Sequence, residues 1–568
     1  MMSPARYRMQ MSRTQGRARG RVKKGDDVRA RRVGRGGLLL AIVVCSAVSG
    51  CTYLEPPVSD PVVRPSLESV LPTVTIEIPE PDGPNPNVDG IKVASFLGGE
   101  TRRFYGIGPV PETLEVIWRT SIGSGSTGGT ASSAGMVQWA GTGWTGQPAL
   151  VRDKGKLYLL VGGFDHNLVK IDAETGEELW SYTFDDVIKG SPTVFRMPGT
   201  EKLAVVCGSR RGFPRGMSDP SIAPVRCVDF ETGEELWRLT APTTRSYSRD
   251  ADSSPVMIGD TLYVAIETGH LYAVDPSKTE ERNGHRWPVI KAEQVLIGDE
   301  RASSHGGNRV LESSPSVIGD TIYIASGAGH VYGLDKDDLS VVWDHWIGSD
   351  LDGSPITTSD GHILQAVEKQ YIPGKGGVLK LDPRKPADDA VVWFFPTADR
   401  TFADWQGGVI GSVAVNDSYG SEAARPALAA FTAIDGNLYV VSQDETEGTV
   451  AGPQGQQGIP TPKLVFKQNV GGGISTPLMV DDYIIQGGYG ATMNVFKIDY
   501  SAEGGVPLKD RAGNQWTVGV EKIASFAAGS FESTPIVWQG RIYVGSRDGS
   551  FYCLGDPDYV PPAEPETP

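Results

Sequence analysis

One sentence of this chain is written twice. Asp172-Ala-Glu-Thr-Gly-Glu-Glu-Leu-Trp180 returns 57 residues later as Asp229-Phe-Glu-Thr-Gly-Glu-Glu-Leu-Trp237. A second pair follows: Ser253-Ser-Pro-Val-Met-Ile-Gly-Asp-Thr-Leu-Tyr263 and Ser313-Ser-Pro-Ser-Val-Ile-Gly-Asp-Thr-Ile-Tyr323, 60 residues apart. Self-similarity at such a period marks an array of small units that bury a core only by packing on one another. Within the unit, small residues and a proline open a short apolar strand. A Gly-Asp-Thr turn gives a second strand, a glycine turn a third, and an Asp-x-x-Thr-Gly turn a fourth that carries Trp. Four antiparallel strands per 40–70 residues predict a propeller blade.

The opening proline counts the blades. Pro148, Pro192, Pro255, Pro315, Pro355, Pro426, Pro477 and Pro535 mark eight. Second strands are expected at 157–160, 203–207, 262–265, 322–325, 363–367, 438–441, 483–486 and 542–545. The last unit ends at Tyr552-Cys553-Leu554 without a fourth strand, and an unpaired strand around Trp118 stands at the other end. Pairing the two closes the ring and removes a sheet edge. The fold class expected is all-β: a single eight-bladed propeller of four-stranded antiparallel blades over 113–556, closed by its N-terminal strand.

The flanks read differently. Residues 1–50 carry a net charge of +10 and the rest of the chain −26. An acidic body of that size repels nucleic-acid phosphates, so DNA or RNA is not an expected partner. Arg31, Arg32 and Arg35 precede an apolar run, 38–48, of signal-peptide length. The run ends in Val48-Ser49-Gly50-Cys51, which resembles a bacterial lipobox. That resemblance implies cleavage after 1–50 and diacylation of the Cys51 thiol, palmitate included. Residues 51–112 are rich in proline and read as a disordered tether holding the body off a membrane. Residues 557–568 read as a disordered tail. Cys207 and Cys227 fall on neighbouring strands, where a disulfide in an oxidising compartment and a pair of buried thiols are both open.

The Asp-x-x-Thr-Gly-x-x-x-Trp motif with Ser-Ser-Pro openings resembles the PQQ-like β-propeller repeat. That family includes quinoprotein dehydrogenases and BamB-like outer-membrane assembly lipoproteins. With a lipobox, the resemblance implies a monomeric, non-catalytic lipoprotein on the periplasmic side of the outer membrane. It would act as a scaffold that binds envelope proteins, and no cofactor is expected. The quinoprotein branch implies the alternative, an oxidoreductase using PQQ and Ca²⁺. A ligand- or carbohydrate-binding sensor is the third reading. No adjacent cysteine pair and no C-x-x-C-H haem site occur in the sequence, which weakens the oxidoreductase.

No nucleophile motif, phosphate loop or zinc spacing points to catalysis, so no catalytic or metal residues are assigned. His270 and His330 share one repeat position, which favours packing over ligation. The candidate site comes from aligning the blade openings. Three residues before each landmark proline stand Thr145, Lys189, Asp252, Glu312, Asp352, Ala423, Ile474 and Glu532. Equivalent positions form a ring at a propeller's axis, so Asp252, Glu312, Asp352 and Glu532 would focus negative potential there, toward a cation or a basic peptide. Loop residues upstream, among them Arg249, Arg309, Asp404 and Trp405, are expected on the same binding face.

Overall fold

The computed structural model describes residues 89–129, 135–144, 146–419 and 425–560. It is all-β apart from three short 3₁₀ turns among the described residues. Eight antiparallel sheets follow one another along the chain. Blade 1 illustrates the pattern with strands Ala149–Asp153, Lys156–Gly162, Asn167–Asp172 and Glu178–Thr183. The last blade is completed from the other end of the chain: Glu115–Ser121 pairs antiparallel with Ser550–Gly555, Val116 opposite Leu554 and Thr120 opposite Phe551. The predicted ring closure is thus present.

The repeat motif explains how blades adhere. In the Asp-x-x-Thr-Gly turn the Asp172 carboxylate accepts backbone N–H bonds from Glu174 and Thr175, 3.0 and 3.1 Å. Gly176 turns at φ +76°, and a Cβ there would lie 2.7 Å from the Trp118 ring of the preceding blade. Only glycine allows both the left-handed backbone and that close indole. The indole N–H then donates to the next blade's backbone: Trp118 to Ala173, Trp180 to Phe230, Trp237 to Pro276, Trp343 to Lys385 and Trp393 to Gln443, at 2.8–3.1 Å. Each motif Trp is a structural bolt.

The residue before the landmark proline does the same work near the axis. The N–H of Ser254 donates to the Ser314 hydroxyl, Ser314 to Ser354, Ser354 to Ser412 and Ser412 to Thr476, at 2.8–2.9 Å. A hydroxyl at this position satisfies a buried amide of the neighbouring blade, which is why Ser or Thr precedes the proline in most openings.

Three expectations need correction. Blade 6 opens at Ser412, before the strand Ala414–Val415, and Pro426 instead sits ahead of the second strand, Leu428–Thr432. The stretch expected as its second strand belongs to the third, Asn437–Val450. The blade count stands, and the position three residues before the landmark becomes Ile410. Cys207 and Cys227 are free. Val206, not Cys207, lies opposite Cys227, so the two side chains project from opposite faces into separate cores. A one-residue offset excludes the disulfide.

The third correction concerns the tether. From Asp89 onward it belongs to the folded body. Gly90–Val93 pairs with Ala149–Asp153 of blade 1, and Gly106–Ile107 runs parallel to Ile536–Trp538 of blade 8. Between them the segment bonds to blade 2 through the Ala94 carbonyl, blade 4 through Glu100 and blade 5 through Thr101. Tyr105 accepts the Val415 amide of blade 6 at 3.0 Å. Phe96, Leu97, Arg102 and Tyr105 are fully buried. Arg102 donates to the carbonyls of Pro315, Phe96 and Ser254 and to the Ser95 hydroxyl, 2.6–3.1 Å. This segment is a plug. At the other terminus the body extends past the expected boundary, because the Tyr559 carbonyl accepts from Arg541 at 3.2 Å. Residues 1–88, Cys51 among them, and 561–568 lie outside the described residues.

Candidate functional site

The plug meets the inner strands from one residue before the landmark positions onward, whereas the ring residues precede them by three. The plug therefore lies as a floor across the inner strands, and the ring positions form the wall of a cup above it. Thr145 and Ala423 lie outside the described residues. The others divide the wall into two arcs.

The charged arc spans blades 2 to 5. The Lys189 ammonium contacts the carboxylate of Asp252, which is fully buried. Carboxylate oxygens of Asp252, Glu267 and Glu312 lie within 4.8 Å of one another, as do those of Asp350, Asp352 and Glu368. Burial is the first cause of every resolved shift here, and mutual repulsion adds to it. Glu312 is pushed up to about 8 and Asp350 to about 7. Glu267, Asp352 and Glu368 are all raised well above the carboxylate range. Burial opposes the Lys189 charge, but Asp252, Glu312 and Glu267 outweigh it and hold the ammonium protonated.

The apolar arc spans blades 6 and 7. Ile410 and Ile474 hold the ring positions and pack with Trp144 and Ile434. Phe402, Trp405 and Tyr489 lie over them. The Phe402 and Tyr489 rings are 4.6 Å apart, and Trp405 is 6.5 Å from Tyr489. Trp405 is half-buried in the hairpin of Asp399–Phe402 and Trp405–Gly407, and Asp404 is exposed at its tip. Glu532 of blade 8 is paired with Arg547 at 2.6 Å.

Two expected wall residues are elsewhere. Arg249 is buried and donates to the carbonyls of Met217 and Asp219 and to the Thr240 hydroxyl, fastening the 213–223 insertion. Arg309 is buried and donates to the carbonyls of Gly306, Ile297 and Ala302, fastening the loop before its own blade. An arginine's five donors suit bundling of loop carbonyls as well as a ligand. His270 and His330 stack on Tyr272 and Tyr332, the packing role that their repetition predicted. Sequence reading missed Glu267 and Glu368. Each stands one residue past the second strand of its blade, Thr261–Ile266 or Ile363–Val367, and aligning strand ends as well as openings exposes both.

Eight sheets, the Trp bolts and the Thr-Gly turns define the class: an eight-bladed propeller of PQQ-like repeats. The chain belongs to the family described as outer membrane protein assembly factor BamB, whose model matches residues 111–288 and 221–407, more than half of the sequence. It is 38% identical over 251 residues to the quinohemoprotein alcohol dehydrogenase of Comamonas testosteroni, covering 44% of this chain and 31% of that protein. It is 22% identical over 321 residues to outer membrane protein assembly factor BamB of Burkholderia pseudomallei (strain K96243), covering 48% of this chain and 78% of that protein. The chain spans about a third of the length of the quinoprotein relatives it matches. Among solved structures, BamB from Moraxella catarrhalis aligns over 78% of this chain and 99% of that one, with 13% identity and a TM-score of 0.42.

Proposed function

We propose that this protein is a non-catalytic scaffold of the bacterial envelope that binds other proteins and assists outer-membrane protein assembly. In this reading Cys51 carries the lipid that holds it on the periplasmic face of the outer membrane. The observation that carries the reading is the division of one inner-strand position between charged residues in blades 2 to 5 and isoleucine in blades 6 and 7. Convergent charge beside hydrocarbon on a rigid scaffold suits recognition of a side chain presented by a partner. The relative named as an assembly factor, most of whose length the chain covers, supports the same direction.

The test is co-purification of the lipidated protein from detergent-solubilised envelopes. Recovery of β-barrel assembly components, and their loss from a Cys51→Ala strain in which the protein leaves the membrane fraction, is the expected result. Recovery of no envelope protein overturns the scaffold.

The identity to a quinohemoprotein raises a second reading, a quinone cofactor. The cup does not fit one. PQQ is a tricarboxylate, and the wall presents at least six carboxylates, while Lys189 and Arg547 are engaged by Asp252 and Glu532. Burial and mutual repulsion already push these carboxyls toward their neutral forms, and three further carboxylates would add to that repulsion. A quinone absorbance band that survives gel filtration after incubation with PQQ and Ca²⁺ would reverse this conclusion.

A further inference from the structure

The two carboxylate triads are neighbours, and only one has a cation in direct contact with a carboxylate. In the first, the Lys189 ammonium contacts Asp252 and lies 5.7 Å from the Trp144 ring. The second, Asp350, Asp352 and Glu368, forms no ion pair with a lysine, arginine or histidine among the described residues. Asn308 adds an independent sign. It is 6% exposed, and its amide N–H donates to Asp350 Oδ2 at 2.5 Å. That bond orients the amide and leaves Asn308 Oδ1 without a donor. Asp350 Oδ1 and one Glu368 oxygen also lack donors. Asn308 Oδ1 and Asp350 Oδ1 converge on the space beside Gly327, where a Cβ would lie 2.7 and 3.0 Å from them. Buried acceptors that converge without a donor are costly unless something supplies one.

We propose that this triad receives the ammonium of a lysine side chain from a bound partner protein, and that the apolar arc beside it takes an adjoining aromatic residue. The inference rests on the scaffold reading and names the partner's chemistry. The fold already places an ammonium between carboxylates and an indole at Lys189, so the same chemistry delivered from outside would complete the second triad. An ammonium has three donors and no acceptor, matching three carboxylates. A calcium ion takes about six to eight oxygens, and four side chains converge here. The arcs are contiguous: Glu368 forms a backbone bridge with Gly408, two residues before Ile410 of the apolar wall.

The test is calorimetric titration of the full-length lipoprotein with the peptide acetyl-Gly-Lys-Trp-Gly-amide and its norleucine analogue at pH 7.5. The lysine peptide is expected to bind about tenfold more tightly, the worth of a charge-assisted hydrogen bond or two. The double variant Asp352→Asn/Glu368→Gln should lower it to the norleucine level, and Glu503→Gln, on the exposed surface, should change nothing. An unchanged or raised melting temperature verifies that the double variant folds. Equal binding of both peptides, or of neither, overturns the proposal. So does calcium binding that the double variant abolishes and the lysine peptide does not displace, which would make the triad a metal site. The scaffold reading is judged separately. If wild type and double variant recover the same envelope partners, the scaffold stands and the lysine site falls.

Discussion

The two arcs of the cup occupy one structural position with opposite chemistry. Lys189, Asp252, Glu312 and Asp352 hold it in blades 2 to 5, and Ile410 and Ile474 hold it in blades 6 and 7. Two residues further on, the position is a hydroxyl in Ser254, Ser314, Ser354, Ser412 and Thr476, because each closes a bond to its neighbour. The contrast separates what the fold requires from what it tolerates. A backbone that accepts isoleucine where it elsewhere accepts aspartate does not need the aspartate. The buried charge is retained at an energetic cost, and such a cost is commonly met at functional sites.

The comparison can be broken in several ways. The largest effect belongs to the floor that both arcs share. Arg102→Ala removes a buried guanidinium with four hydrogen bonds and should cost about 4 kcal/mol, read as a lowered denaturation midpoint and faster proteolysis. Next is the charged arc's own cation. Lys189→Met leaves Asp252, Glu267 and Glu312 uncompensated and should cost about 3 kcal/mol at pH 8. The loss should shrink at pH 5.5, where Glu312, raised to about 8, is protonated, so melting curves at the two pH values decide it.

The native protein should show the same sign. Glu312 and Asp350 have folded-state values raised to about 8 and about 7. Between their unfolded range and those values the folded state binds more protons, so stability falls as pH rises from about 4 to about 8. Thermal unfolding should peak on the acid side of neutrality, and Glu312→Gln with Asp350→Asn should flatten the profile. Asp352→Leu, which turns a charged position into an apolar one, should be neutral or stabilising by about 1 kcal/mol at pH 8. A strong loss there would show that the carboxylate serves the fold after all. The smallest effect is Trp405→Ala. Its half-buried ring should contribute about 1 kcal/mol or less to stability, and partner capture should suffer more than the melting temperature.

Legibility in the sequence followed the same division. Ser-Ser-Pro and Asp-x-x-Thr-Gly…Trp could be read because each serves a local, repeated bond, and repetition exposes such bonds. Blade 6 slipped by a strand because Ser412-Val413 lacks the proline and Pro426 mimics it nearby. The plug was hidden because it repeats nothing: Arg102 bonds Pro315 and Tyr105 bonds Val415, each more than 200 residues away, and a proline-rich surrounding masked them. In the cup the openings revealed Asp252, Glu312 and Asp352. Glu267 and Glu368 sit one residue past a second strand and emerge only when strand ends are aligned as well, whereas the convergence of Asn308 on Asp350 depends on how blades stack.

The plug also orders events in time. A ribosome delivers residues 89–121 before any blade, yet they dock against strands as late as 536–555. The earliest residues made are therefore among the last to settle. Every partial chain carries its stopper and its clasp but lacks the last blade that both must meet, so the ring cannot close until that blade is made. A nascent chain would have to remain unclosed until its final blade arrived, with its inner strand edges exposed throughout.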